Sequence, residues 1–272
     1  DMAVMIHTHS DETMTKAAVS ESCNGCVVKL IRFLGRAAHA GGAPHLGINA
    51  LNAAQIALNA IHAQRETFQD QDSIRVHPII TKGGDLVNVV PAEVRMETYV
   101  RGKAKEAIVD ASEKVDRALR AGGLAVGATV EIETLPGYMP LRNDETLRGM
   151  FAENAKQLFG EDEYSEIGHR TGCTDMGDLS HIMPSLHPYM SGATGPGHSA
   201  TWHISDKEMG YLGPAKSLAS LAVDLLHGDA SKAKEVIQNH TPAMTKDEYL
   251  TFQSNIFKTE VYDGAKGLSE IK

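Results

Sequence analysis

Gly35-Arg36-Ala37-Ala38-His39-Ala40-Gly41-Gly42-Ala43-Pro44-His45-Leu46-Gly47-Ile48-Asn49-Ala50-Leu51-Asn52 decides how the rest of the chain is read. A strand-like run, residues 26–34, enters it. A helical pattern leaves it, with Ile48, Leu51, Leu58 and Ile61 near helical spacing. Between them lies a loop of small residues, glycines and one proline, a composition that bends sharply. His39 stands in that loop between two alanines, so no bulky neighbour crowds its ring. Taken alone, such a residue is more often a surface-loop histidine than a working group.

Reading outward, residues 26–136 form a compact pattern. Residues 47–65 read as a helix. Residues 73–80 alternate, with Ile74, Val76, Pro78 and Ile80 on one face, and read as a strand. Lys82-Gly83-Gly84-Asp85 is a turn. Val94, Met96, Thr98 and Val100 alternate against Arg95, Glu97, Tyr99 and Arg101, giving a strand with one polar face. Residues 103–121 carry a helical stripe of Ile108, Ala111, Val115 and Leu119, with Gly122-Gly123 as the expected stop. Val126, Ala128, Val130 and Ile132 alternate once more. The order β-α-β-β-α-β is the split βαβ sandwich, a ferredoxin-like sheet with two helices on one face. Its edges are free to pair with a second copy.

Upstream, Ala3-Val4-Met5-Ile6 reads as a short buried strand with His7-Thr8-His9 at its end. Open α/β sheets present catalytic groups at strand ends. Downstream, Pro136-Gly137-Tyr138-Met139-Pro140 has a linker's composition, and residues 145–159 read as a helix. A polar loop-rich segment, residues 169–180, holds Thr174-Asp175. Gly192, Gly195, Pro196 and Gly197 make a flexible approach to His198, and residues 207–227 resume a helix. Residues 229–272 are polar and read as a tail or helical extension without assignable chemistry.

The chain of 272 residues is 42% hydrophobic and carries a net charge of −9. That charge, with no Lys/Arg block, argues against a nucleic-acid partner. No apolar run is long enough to span a bilayer, and the first residues lack a secretory pattern. Three cysteines, Cys23, Cys26 and Cys173, suit a reducing cytoplasm better than a disulfide framework. Cys23 and Cys26 have redox or zinc spacing, but a single such pair reads as two incidental thiols. The chain opens on a strand already in progress, which leads us to expect the C-terminal part of something longer.

Together these motifs resemble the M20 family of metallopeptidases and amidohydrolases, nearest to p-aminobenzoyl-glutamate hydrolases and related N-acyl-amino-acid amidohydrolases. The resemblance covers most of residues 1 to about 228. Its most specific part is Gly35-Arg36-Ala37-Ala38-His39-Ala40 followed by Pro44, Gly47 and Asn49-Ala50-Leu51, which looks like the family's lid signature. Gly83-Gly84 with Asn88-Val89-Val90-Pro91 is similar to its second lid signature. Thr174 to Asp178, Pro184, Leu186 and His187, then His198-Ser199 with Trp202, resemble the closing half of a catalytic domain.

The resemblance implies an α/β metallohydrolase domain, residues 1–24 and 138–228, with an inserted βαββαβ lid and dimerisation domain, residues 25–137. It implies that His7 and His198 are metal ligands. It implies that His39 reaches a partner's active site in a homodimer and binds the substrate's carbonyl oxygen. Asn88, Arg101 and Asp175 match positions that contact substrate or lie near the metals. The implied reaction is metal-dependent hydrolysis of an amide in an N-acyl or aminobenzoyl amino acid or a dipeptide, with two divalent ions, Zn or Mn.

The chemistry suits those roles. Paired metals lower the pKa of a shared water and polarise the scissile carbonyl. A histidine N–H stabilises charge that develops in the transition state, and an arginine grips a carboxylate in a bidentate fork. Yet a zinc-like ion takes about four ligands, the residues supply two clear candidates, and no Glu-Glu pair occurs in the sequence. The chain alone is therefore expected to be inactive. A non-catalytic dimerisation or regulatory module is the alternative. His45, His62, His77, His181, His187, His227 and His240 read as solvated or structural. Arg170 reads as an ion-pair partner of Asp175.

Overall fold

The structure, a computed structural model, describes residues 1–267. The chain divides into two compact units. One comprises residues 1–24 and 139–249, the other residues 25–138 and those from 250 onward.

The first unit opens with four short strands: β1 (Ala3–Val4), β2 (His7–Thr8), β3 (Ala17–Ser20) and β4 (Ser22–Cys23). The sequence suggested one strand over residues 3–6 with His7 beyond its end. Instead the run breaks after Val4, and His7-Thr8 is a strand of its own.

The second unit is built on β5 (Gly25–Leu34), followed by α1 (Ala50–Ala63), β6 (Arg75–Val76), β7 (Ile79–Lys82), β8 (Glu93–Gly102), α2 (Lys105–Val126) and β9 (Thr129–Pro136). β5 lies between β9 and β8, antiparallel to both, and β6 and β7 pair with the far side of β8. This is the βαββαβ sandwich. Alternation along β8 puts Val94, Met96 and Val100 in the core and Arg95, Glu97 and Tyr99 on the open face. α1 and α2 cover the core face with Ala50, Ala53, Ala54, Ala57 and Ile61 against Ile108, Ala111, Val115 and Leu119.

Three local expectations are corrected here. α1 begins at Ala50, because the Asn49 side chain accepts hydrogen bonds from the Leu51 and Asn52 N–H groups and Gly47 is extended. The strand expected over residues 73–80 is split into β6 and β7, since Pro78 has no N–H for the ladder. Gly122-Gly123 does not stop α2, which continues to Val126 and ends at Gly127 with φ 73°. A Cβ at Gly122 would stand 2.3 Å from the Ala53 carbonyl oxygen, so that glycine sets how closely α2 approaches α1.

The chain returns to the first unit through β10 (Leu141–Arg142), α3 (Glu145–Phe159), β11 (Tyr164–Ile167), α4 (Met176–Ser180), β12 (Ser185–Leu186), β13 (Pro188–Met190), β14 (Ala193–Thr194), β15 (His203–Ile204) and α5 (Gly213–Leu226). A mixed sheet runs β11-β3-β13-β2, and β1 pairs with β12 in parallel. Its core gathers Ala17, Val19, Leu147, Phe151, Leu186, Met190 and Leu221.

Residues 229–267 are more than a tail. They form α6 (Ser231–Asn239), α7 (Lys246–Ile256) and β16 (Lys258–Asp263). β16 pairs with β9, so β9 is not an edge of the second unit's sheet. A buried ion network fixes this arrangement. Lys29, fully buried on β5, donates to Asp116 Oδ1 on α2 at 2.5 Å and to Thr134 Oγ1 on β9 at 2.9 Å. Lys258 of β16 lies 2.9 Å from Asp116 Oδ2. The remaining part of the expected tail, residues 268–272, lies outside the described residues.

Candidate functional site

Two groups of residues carry the expected chemistry, one in each unit. In the second, the loop after β5 folds back on the chain. Arg36 and Ile48 form an antiparallel bridge, and so do His39 and Val89. The Val90 N–H donates to the Ala38 carbonyl, and the Ala40 N–H to the Asn88 carbonyl, both at 2.9 Å. The two lid-like stretches of sequence, far apart along the chain, are thus zipped side by side. The His39 ring is exposed, and its Nδ1 accepts from the Gly41 and Gly42 N–H groups at 3.2 and 3.0 Å. An Nδ1 used twice as an acceptor carries no proton, so the ring proton sits on Nε2. His39 therefore presents an N–H to solvent. Asn88 is an exposed turn residue. Arg101, on β8, lies with its guanidinium 5.3 Å from the centre of the Tyr99 ring.

In the first unit, β2 pairs in parallel with β13, placing His7 opposite Tyr189. A pocket of about 320 Å³ opens there, with His7, His9, Asp11, Arg170, Gly197 and Trp202 among its walls. Ser10 Oγ donates to the Gly195 carbonyl, tying the loop after β2 to the glycine-rich loop. His198 follows Gly197 directly but is not itself among the pocket's walls. It is exposed and holds a left-handed backbone, φ 62°, costly for a residue with a Cβ. His203, on β15, lies outside the pocket's walls as well, its Nδ1 donating to the Thr201 carbonyl at 2.9 Å.

Sequence reasoning set aside His187, although it falls within the closing catalytic motif. The side chain is buried, its ring centre 6.0 Å from that of His7 and 5.3 Å from that of Tyr189. Its Nδ1 donates to the Met5 carbonyl at 2.7 Å, and His7 Nδ1 donates to the Thr8 carbonyl at the same distance. Each ring so held keeps an Nε2 lone pair, the tautomer a metal-binding histidine needs. Burial lowers the pKa of His187, and the hydrogen bond to the Met5 carbonyl, ahead of the Asp175 charge, partly offsets that. The ring thus stays neutral, able to act as a donor, to a lower pH than a solvated histidine. The pKa of His9 is lowered too, chiefly by burial. Both its nitrogens are occupied, by the Thr15 carbonyl and the Asp11 N–H, so it buttresses the pocket. His187 precedes Tyr189 by two residues and both rings lie beside His7, a neighbour that its own stretch of sequence does not name.

Arg170 does not pair with Asp175. Its guanidinium lies 4.8 Å from the centre of the Tyr189 ring, and its Nη1 contacts Met14 Sδ. Asp175 is exposed at the start of α4, its carboxylate accepting from Thr174 Oγ1 at 3.3 Å. In kind these donors, imidazole with carboxylate, fit a divalent ion such as Zn or Mn. In number they fall short: among the described residues no three His, Cys, Asp or Glu side chains come together as a metal site.

Comparison with known proteins adds to this geometry. Residues 25–125 match the peptidase dimerisation domain of the M20 family. The mouse (Mus musculus) Xaa-Arg dipeptidase is 30% identical over 204 residues, 72% of this chain and 47% of that protein. A p-aminobenzoyl-glutamate hydrolase homolog of Haemophilus influenzae is 30% identical over 123 residues, 45% of this chain and 29% of that protein. The solved structure of a Bacillus subtilis protein, described as a dinuclear metal-binding peptidase of the M20 family, superposes with a TM-score of 0.57. It covers 82% of this chain and 57% of that protein at 20% identity, a likeness of fold. The chain spans about half the length of the mouse relative it matches.

Proposed function

Residues 25–125 belong to the M20 peptidase dimerisation domains, and from that premise we propose that this chain is the lid and part of the catalytic domain of a metal-dependent amidohydrolase. The proposed substrate is an N-acyl or aminobenzoyl amino acid, such as p-aminobenzoyl-glutamate, or a dipeptide. The proposed state is a homodimer through the lid, in the cytoplasm, which the three free cysteines suit. No helix among the described residues is long and apolar enough to cross a membrane.

The observation that carries the reading is the ring geometry at β2. His7 and His187 stand side by side, each donating its Nδ1–H to a backbone carbonyl. On this reading His7 and His198 are ligands to two divalent ions, Zn or Mn, with Asp175 the nearby carboxylate. Such ions, when bound, supply an activated water and a polarised carbonyl. His187 keeps the His7 ring in place by edge contact. His39 contributes the Nε2–H that its loop leaves free, a donor for an oxyanion. Asn88 and Arg101 bind the substrate's polar groups.

The test is amide hydrolysis by the protein that carries this chain, assayed with p-aminobenzoyl-glutamate and a panel of dipeptides after loading with Zn or Mn, alongside metal analysis. Metal-dependent release of the free amino acid supports the reading. A protein that dimerises yet takes up no metal and cleaves none of these leaves the non-catalytic dimerisation module in its place.

A further inference from the structure

Residues 231–263 are held unevenly. Their first half is built into the first unit. Val236 of α6 is fully buried in that unit's core. His240 Nδ1 donates to Asp144 Oδ2 at 2.9 Å, with both side chains mostly buried, and the Met244 N–H donates to the His181 carbonyl at 3.0 Å. The second half is laid on the second unit instead. α7 has no fully buried residue, and Leu250, Phe257 and Val261 are each more than half exposed. Ile256 and Tyr262 supply the apolar anchorage, and both are only partly buried against that unit's core.

What fastens β16 is mainly polar. All six of its residues pair with β9. Lys258 reaches Asp116 Oδ2 at 2.9 Å, and Arg120 Nη1 donates to both Glu260 oxygens, at 2.7 and 2.9 Å. The Lys105 ammonium lies 5.7 Å from the centre of the Phe252 ring on α7. The Lys258 side chain is 46% exposed, and those of Arg120 and Glu260 33% and 31%, so dissolved salt screens these pairs. Asp116 itself is buried, held from the other side by Lys29. A backbone ladder with charged fastenings and little apolar burial belongs to the low-stability end of a fold, and it opens locally before the core does.

The chain crosses between the two units after residues 24, 138 and 249. The third crossing runs through α7, between the firm anchorage at His240 and the light one at β16. We infer that residues 231–263 are a strap, fixed to the first unit by α6 and His240 and releasable from the second at β16. Docked, β16 ties the units a third time. Released, it leaves two crossings and bares the β9 edge, a row of backbone groups that another strand can take. The inference uses no residue of the candidate site and does not depend on the hydrolase reading.

The experiment is peptide-resolved hydrogen–deuterium exchange on the full chain, in about 0.05 M and about 1 M sodium chloride, repeated on K258E, E260R and R120E/E260R. Residues 258–263 should exchange at least about tenfold faster than β5 and β8, while α6 stays with the slow group. The higher salt should speed residues 258–263 severalfold and leave β5 and β8 as they were. K258E sets a carboxylate against the buried Asp116 and should speed residues 258–263 by about tenfold or more. E260R should speed them less, and R120E/E260R, which rebuilds the pair with its charges exchanged, should restore the parent's rate. The inference is overturned if residues 258–263 exchange no faster than β5 and β8, or if α6 exchanges as fast as β16. It falls equally if salt, K258E and E260R leave residues 258–263 at the parent's rate, or if K258E speeds β5 and β8 to the same degree, since β16 would then open only with the core.

Discussion

The two units solve opposite problems. The second is made of long regular elements, with β5 and β8 each ten residues. Its core includes a lysine buried with its aspartate and threonine. The first carries its candidate site on strands of two and three residues and on loops. There it leaves polar groups without protein partners, the His7 and His187 Nε2 lone pairs among them. Regular elements consume backbone and side-chain valences internally. Short strands and glycine-rich turns leave them facing outward, where an ion or substrate can take them.

The largest expected effect tests the satisfied half. Asp116→Asn removes the charge between Lys29 and Lys258 and strands a fully buried ammonium. Breaking one side of a buried pair costs about 3–5 kcal/mol, read as an early unfolding transition in chemical denaturation. A cost below about 1 kcal/mol would show that water reaches Lys29 and that the two units do not differ in this way.

Next comes one substitution made in both units. Gly122→Ala drives a methyl into the Ala53 carbonyl between α1 and α2 and should destabilise by about 1–3 kcal/mol. Gly149→Ala, inside α3 with nothing within 4 Å of the new methyl, should stabilise by up to about 1 kcal/mol through helix propensity. Equal signs in thermal melts would undo the contrast.

The smallest effect concerns Tyr164. Its buried hydroxyl has no partner, and burial pushes its pKa up to about 12. A pKa raised above that of an unfolded tyrosine, near 10, means the folded state holds the proton more tightly. That contribution is complete below pH about 10 and is lost as pH rises toward 12. Since the side chain is only half-buried, it amounts to about 1 kcal/mol. Tyr164→Phe should flatten the alkaline fall in stability. An unchanged pH profile would show that the hydroxyl is solvated.

This contrast also explains what could be read from the residues. The sandwich was legible because period-two alternation over Val94 to Val100 and the 3.6-residue stripe of Ile108, Ala111, Val115 and Leu119 last long enough to be unambiguous. Its errors fell where local and tertiary demands part: Gly122-Gly123 resembles a helix stop and is a helix–helix contact. β16 was illegible because residues 258–263 show no clean alternation, and the partner that stabilises them lies far away at β9. Two-residue strands leave no period at all, so His7 was placed at the end of a strand it does not belong to. His187 looked structural because nothing in its own neighbourhood reveals His7 beside it. Residue type alone paired Arg170 with Asp175, whereas its neighbour is the Tyr189 ring.

The account's central claim is that His7 and His198 serve one metal-bearing pocket. Anomalous scattering from crystals of the protein carrying this chain, grown with Zn or Mn, tests it most directly. Two peaks within about 4 Å of each other, one at roughly 2.0–2.1 Å from His7 Nε2 and one bonded to His198, are the expected result. Peaks at neither ring, or at two unconnected places, would contradict it.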